Sequence, residues 1–399
     1  MTDERLVTPR FVLVVGSGLA YFMALGTVLP VVPQYVEHQL GGGDVSVGIA
    51  VGSLFVGAVL LRPYVGRLGD RVGRRVLMIF GAAIVAVSIA LYGAVASLGF
   101  LVGARVLTGV GEAAFFVGAA TMITDLAPPH RRGEAISYWS VAVYGGLAFG
   151  PVVGEAVRDQ EGFGTAWVVA ALFGALATAL AVCTREVPRA ETGDAGAHGG
   201  VINRAAIGPG SVLFSGLIAL AAFTAFIPLY VDEIGLHNAD VVFLEYGGIV
   251  LAVRIFGARL PDTLGGRTAG GAALAASAVG MTVMATWGTT AGLLVGTACF
   301  AVGASLLYPA LLLLALGGAP ESERGSVVGT FSGFFDLSQG LGSVVVGVMA
   351  AATSYQGAFA LGACCSAAGF AGLRLHASRR ERQAQVEEAG ALASEHPGP

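Results

Sequence analysis

Residues 62–75 read RPYVGRLGDRVGRR, and residues 254–267 read RIFGARLPDTLGGR. At this one offset of 192 positions Arg62 coincides with Arg254, Arg67 with Arg259, Leu68 with Leu260, Asp70 with Asp262, Gly73 with Gly265 and Arg75 with Arg267. Each copy closes a long apolar stretch and precedes another. A charged hinge repeated at a fixed offset marks an internal duplication, here of a membrane-embedded half. Arg132-Gly133 and Arg324-Gly325 repeat at the same offset, as do Gly150 and Gly342.

Composition agrees. Only 12% of the 399 residues are charged and mean hydropathy is +0.77, whereas a soluble domain carries roughly 25% charged residues. Every basic residue is Arg. Cys183, Cys299, Cys364 and Cys365 fall in apolar stretches and read as small hydrophobes, not as a disulfide framework or a metal site. No HExxH run, Walker-type loop, CxxC pair or Ser/His/Asp pattern is visible, so no enzyme chemistry, cofactor or metal is expected. The net charge of −4 sits in loops, and no nucleic-acid partner is expected.

A span needs about 20 apolar residues to cross roughly 30 Å of hydrocarbon. Twelve stretches qualify: 11–36, 45–65, 76–96, 98–125, 134–157, 165–184, 208–231, 241–260, 268–288, 291–316, 326–352 and 355–376. They are expected to be helices, because a membrane barrel would show short alternating segments. One set of connections holds Arg5, Arg10, the Arg67–Arg75 cluster, Arg131, Arg132, Arg185, Arg189, Arg204, Arg259, Arg267, Arg324, Arg379, Arg380 and Arg382. The other set offers only Arg158. The positive-inside rule therefore puts both termini in the cytoplasm of a multi-pass cell-membrane protein. The expected organisation is a first six-helix bundle (1–184), a cytoplasmic linker (185–207), a second bundle (208–377) and a tail (378–399) that is disordered or a frayed helix.

Charges inside spans are costly, about 3 kcal/mol each at mid-membrane, and so point to a wet cavity or to internal partners. Arg105 and Glu112 in the fourth span are seven residues apart and share a helical face with Thr108 and Gly109. They read either as a static network that orders helices or as a central cavity. In the second case Glu112 holds a proton or a cationic group and Arg105 attracts anionic character. The eleventh span carries a polar stripe, Ser332, Asp336, Gln339 and Ser343, on one face. The repeat-equivalent of Asp336 in the fifth span is Tyr144, so the halves differ at this depth. Arg62 and Arg254 read as anchors snorkelling at cytoplasmic ends, and Glu155, Asp232, Glu233 and Glu245 as a solvated outer rim.

These residues resemble the major facilitator superfamily (MFS) over essentially the whole chain. Its signature between helices 2 and 3 appears as Gly66-x-x-x-Asp70-Arg71-x-Gly73-Arg74-Arg75, and its helix-4 signature as Arg105-x-x-x-Gly109-x-Gly111. The helix-5 signature, linked in the family to antiporters, appears as Gly146-x-x-x-Gly150-Pro151-x-x-Gly154, with Glu155 where the final Gly belongs. The resemblance implies an all-α integral membrane fold of twelve transmembrane helices in two pseudo-symmetric six-helix bundles. It also implies a conformational latch, in which Asp70 meets the start of helix 11 near Ser326 and Arg74 pairs with Asp125, with Asp262 in a weaker second copy. Gly146, Gly150, Gly154 and Pro151 serve tight packing or gating. The function so implied is alternating-access secondary transport of a small organic molecule, by preference efflux of an amphipathic drug or metabolite from a monomer coupled to protons. Import of a sugar or similar nutrient by symport or facilitation is the alternative. A membrane enzyme or ligand-sensing receptor on the same scaffold is the alternative of another class.

Overall fold

The computed structural model describes residues 6–128, 131–185, 203–236, 239–257, 260–320 and 323–395. Every regular element among them is a helix: α1 (Pro9–His38), α2 (Asp44–Val72), α3 (Arg74–Tyr92), α4 (Leu98–Leu126), α5 (Arg132–Cys183), α6 (Arg204–Glu233), α7 (Asp240–Phe256), α8 (Leu260–Leu264), α9 (Gly266–Thr286), α10 (Thr290–Gly317), α11 (Arg324–Ala352) and α12 (Tyr355–Glu395). Helix starts follow local chemistry. Thr8, Ser97 and Thr289 each accept a hydrogen bond from the backbone N–H three residues on, at 3.2, 3.3 and 3.2 Å, satisfying a donor the helix leaves unpaired.

Among the described residues, ten helices are long and apolar enough to cross a bilayer. Two expected spans account for the difference from twelve. α5 carries the fifth and sixth in one 52-residue element, broken only where Gly162 takes φ 84°. α7, with 17 residues, covers the eighth and stops short at Gly257. α6 begins at Arg204, inside the expected linker, because the Asn203 side chain accepts from the Ala205 N–H at 2.9 Å; residues 186–202 of that linker lie outside the described residues. The tail expected from residue 378 continues α12 as helix to Glu395, consistent with its Ala, Glu, Gln and Arg, all strong helix formers.

The repeated hinge has a backbone cause. Gly73 and Gly265, coincident at the offset, take φ 97° and 76°. Both turn the chain sharply into the next helix through a left-handed conformation that a side chain would strain.

In the first half α1 packs on α5, and α4 on α2 and α3. In the second half α6 packs on α11 and α12, and α9 on α10 and α12. Across the halves the main contacts are α2 with α11, α5 with α7, and α1 with α6, with a smaller one between α2 and α6. The first two are the same contact under the repeat, so the seam is built like an isologous interface.

Among the described residues one shared apolar core closes the seam at one end. A large apolar core runs through the first half and takes in second-half residues from 218–231, 239–243, 281–300 and 346–363, all toward the end that carries residues 39–44. Toward the Arg-rich end, Leu213, Leu217, Leu307, Leu311, Val327 and Phe331 belong to a separate core, and Ala58, Val65, Leu77, Ala113 and Ala114 to another. Leu60, Phe80, Val87, Leu172 and Phe256 are exposed on the outside, an apolar surface suited to lipid.

Candidate translocation site

The deepest charge cluster lies on the seam, and its centre is Arg62. From α2 its Nη2 donates to Glu112 Oε2 of α4 at 3.3 Å and to Asp336 Oδ1 of α11 at 3.1 Å. Its Nε lies 2.6 Å from Asp336 Oδ2, an ionic contact without hydrogen-bond alignment. The guanidinium also sits 5.8 Å from the Phe116 ring centroid. Asp336 is 1% exposed, while the Arg62 and Glu112 side chains keep 16% and 15% exposure. One guanidinium thus holds two carboxylates from both halves, and the three charges sum to −1. Tyr308, bonded to Ser332 at 2.9 Å, is close enough to feel Arg62 and Asp336.

Arg254 is the repeat-equivalent of Arg62 and makes the mirrored crossing. From α7 its Nη2 donates to the Tyr144 hydroxyl of α5 at 2.6 Å, and its guanidinium lies 4.3 Å from that ring's centroid, a cation–π geometry. The offset that carries Arg62 to Arg254 also carries Tyr144 to Asp336. The expectation that both arginines anchor cytoplasmic ends is therefore corrected. A helical side chain leans toward its helix N-terminus, and α2, at 29 residues, outruns the hydrocarbon thickness. Together these carry the Arg62 head deeper than a residue count suggests.

Arg105 is corrected too. It is 5% exposed and its Nη2 donates to the Val51 carbonyl of α2 at 3.1 Å. Thr108 beside it bonds Ser88 at 2.9 Å and Tyr92 at 2.6 Å. No cavity fits at this face, because a Cβ on Gly109 would strike the Leu54 carbonyl. Arg105 and Thr108 order helices inside the first half, while Glu112, two turns on, reaches the seam. Gln339 is likewise turned away from the triad: it donates to the Leu217 carbonyl of α6 at 3.0 Å, and Ser343 bonds its own helix at Gln339 O, 2.7 Å.

At the Arg-rich end, Arg74 at the start of α3 forms an ion pair with Asp125 near the end of α4. Arg75 Nη2 donates to the Val182 carbonyl at 2.7 Å, and Arg71 is exposed. The backbones of Gly66, Asp70 and Asp262 are helical, but the Asp70 and Asp262 side chains lie outside the described residues, as does that of Arg324. The α5 glycines face α1 of their own half. A Cβ on Gly146 would come within 2.7 Å of the Phe22 carbonyl carbon, one on Gly150 within 2.7 Å of Gly26 Cα, and one on Gly154 onto the Thr27 carbonyl. Their geometry is that of tight packing, with Pro151 lying beside Gly26.

Glu155 does not belong to a solvated rim. It is 1% exposed, accepts from Gln34 Nε2 at 2.8 Å and pairs with Arg158 at 2.8 Å, because Arg158 stands one turn along the same face. Gln34 also reaches the Pro228 carbonyl across the seam at 3.4 Å. Arg62, Arg254 and Glu155 are the groups that sequence reasoning left out of the site, as Arg105 and Gln339 are those it placed there and the structure turns away. The available signal for the two arginines was the double coincidence at one offset: Arg62 with Arg254, and Tyr144 with Asp336.

A helical bundle of paired halves, apolar outside and charged on the seam between them, defines a polytopic membrane transporter. The family model described as Major Facilitator Superfamily matches residues 14–270 and 246–397. An uncharacterized MFS-type transporter of Salmonella typhimurium is 30% identical over 364 residues, covering 89% of this chain and 93% of the relative. The solved nucleoside transporter NupG aligns with a TM-score of 0.74 at 13% identity, covering 92% of this chain and 99% of that one. A bacterial homologue of the human lysosomal transporter Spinster, solved inward-facing and unoccupied, aligns at 0.72 with 18% identity, covering 93% and 96%. The chain belongs to the Major Facilitator Superfamily; it is a multi-pass transporter of small molecules and not an enzyme.

Proposed function

We propose that this protein is a proton-coupled exporter of a small amphipathic organic molecule, working by alternating access in the cell membrane as a monomer with both termini cytoplasmic. The observation that carries the coupling is the Arg62–Glu112–Asp336 triad, with its net charge of −1 shared across the two halves. A proton taken by Asp336 or Glu112 neutralises the triad and loosens Arg62 from one half. Proton uptake thereby acts on a contact that must break when the halves rock. With the Arg-rich side inside, the present state is inward-facing, closed outside by the shared core. The Arg74–Asp125 pair joins α3 and α4 within one half and is already made in this state, so the latch of the opposite state is proposed to rest on Asp70 of the α2–α3 hinge. The gradient suffices: an inward proton contributes about 2.3 kcal/mol per 100 mV plus about 1.4 kcal/mol per pH unit. One other reading, import by symport, is favoured by Glu155 standing where the antiporter signature ends in Gly.

The test is solute-driven proton movement in proteoliposomes loaded with a pH-reporting dye, across a drug and metabolite panel. A transported solute should drive protons opposite to itself, and Glu112→Gln or Asp336→Asn should abolish that flux while protein yield stays near wild type. Proton movement in the same direction as the solute would establish symport. Unchanged coupling in both variants would sink the triad assignment.

A further inference from the structure

The two seam arginines are equivalent by position and unequal in charge balance. Arg62 has two carboxylates. At the same offset its partner Asp336 corresponds to Tyr144, and its partner Glu112 to Ala304. Arg254 therefore loses both anions at once. Among the described residues it forms no ion pair, and its Nε is buried without a hydrogen-bond acceptor. Among the described residues its polar contact is the neutral Tyr144 hydroxyl at 2.6 Å, with the tyrosine ring beneath the guanidinium at 4.3 Å. A guanidinium without an anionic partner lacks charge compensation, and this one, partly buried, turns across the seam to Tyr144 of the other half. Around it the surfaces are aromatic: Tyr246 is near enough to feel both Tyr144 and Arg254, and stacks on Phe300 with centroids 5.8 Å apart.

We propose that Arg254 and Tyr144 form the cargo-anchoring site, and that the cargo is an organic anion bearing an aromatic or other flat apolar group. The carboxylate, or an equivalent oxyanion, takes the free edge of the guanidinium as a charge-assisted pair. The apolar body lies against Tyr144 and Tyr246, with the fully buried Phe300 backing Tyr246. Arg62, already neutralised, does not compete for it. The assignment rests on the transporter reading, but not on the direction of transport or on proton coupling.

The test is binding, which separates it from transport. The full chain, purified in nanodiscs of phosphatidylcholine, is titrated with benzoate, cinnamate and 1-naphthoate, and in parallel with their carboxamides, following the unfolding temperature. Carboxylates should raise it and the amides should not. Arg254→Gln should abolish the preference. Tyr144→Asp supplies the internal carboxylate that Arg62 enjoys; it should raise the unfolding temperature without ligand and weaken carboxylate binding by at least about tenfold. That variant keeps the test decisive if Arg254→Gln does not fold. Equal responses to acid and amide, no response to any carboxylate, or a Tyr144→Asp protein that keeps the carboxylate preference would each overturn the proposal. An anionic headgroup presents the same oxygens. Loss of the response when phosphatidylglycerol is added would assign Arg254 to lipid and overturn the cargo reading.

Discussion

Two arginines in the first half illustrate how much a single side chain's direction decides. Arg62 and Arg105 both stand inside apolar helices, and by composition they are interchangeable. Arg105 ends on a backbone carbonyl within its own half, whereas Arg62 bridges 274 positions to Asp336. The consequences differ. Asp336→Asn leaves Arg62 paired with Glu112 and the cluster neutral, so it should lower stability only by the weakened hydrogen bonds, about 1–3 kcal/mol. Combined with Arg62→Gln, which removes the other side of the same contact, it should show a coupling energy of about 0.5–3 kcal/mol by thermal or denaturant unfolding. Additive effects would mean that the two groups do not interact. Thr108→Val, which breaks the bonds to Ser88 and Tyr92, should be destabilising by about 1–3 kcal/mol and leave solute-driven proton flux intact. Loss of coupling in that variant would return the Arg105 face to the mechanism.

Helices in this molecule meet through missing side chains, and where they meet separates packing from motion. The α5 glycines lie against α1 of the same half and stay there as the halves move. Gly48 and Gly52 of α2 are different, because they face α11 across the seam. A Cβ on either would strike the Ser343 or Gly340 carbonyl, and one on Gly347 would come within 2.7 Å of the Asp44 carbonyl. Nearer the Arg-rich end, Gly329 and Gly333 of α11 have nothing within 4 Å. The α2–α11 contact is thus intimate at one end and open at the other. Gly52→Leu should oppose closure by about 1–3 kcal/mol, shifting the population roughly 5- to 150-fold. Spin labels on Val45 and Val348, both exposed, should report a longer separation in that variant. An unchanged distance distribution would show that the approach does not hold the end shut.

Among the described residues the molecule is a seam between two halves, joined by one core at one end and lined by separate cores toward the other. Its orientation in the membrane follows from where the arginines fall. In a variant lacking the native cysteines, Gly43→Cys should react with an impermeant maleimide in intact cells, and Arg71→Cys only in everted vesicles. Labelling of both from the same side would refute the orientation. The duplication, the helical class and nearly all element positions were legible in the sequence, because apolar length and glycine-bearing hinges are local properties. The Arg62–Asp336 and Arg254–Tyr144 crossings were legible only in part. The offset related the four residues, but nothing along the chain said that each arginine looks outward from its own half. Glu155 carried no such hint, since its burial depends on Gln34 of a helix 121 positions away.

By itself the sequence determined an all-helical, membrane-embedded, internally duplicated transporter chain, since lipid leaves a backbone no other way to satisfy its own hydrogen bonds segment by segment. Tertiary structure alone decided which charges share the seam, which merely brace one half, and which end is closed. Those outcomes turn on the rotation of each helix and on a side-chain reach of about one helical turn, and no residue's neighbours along the chain encode either.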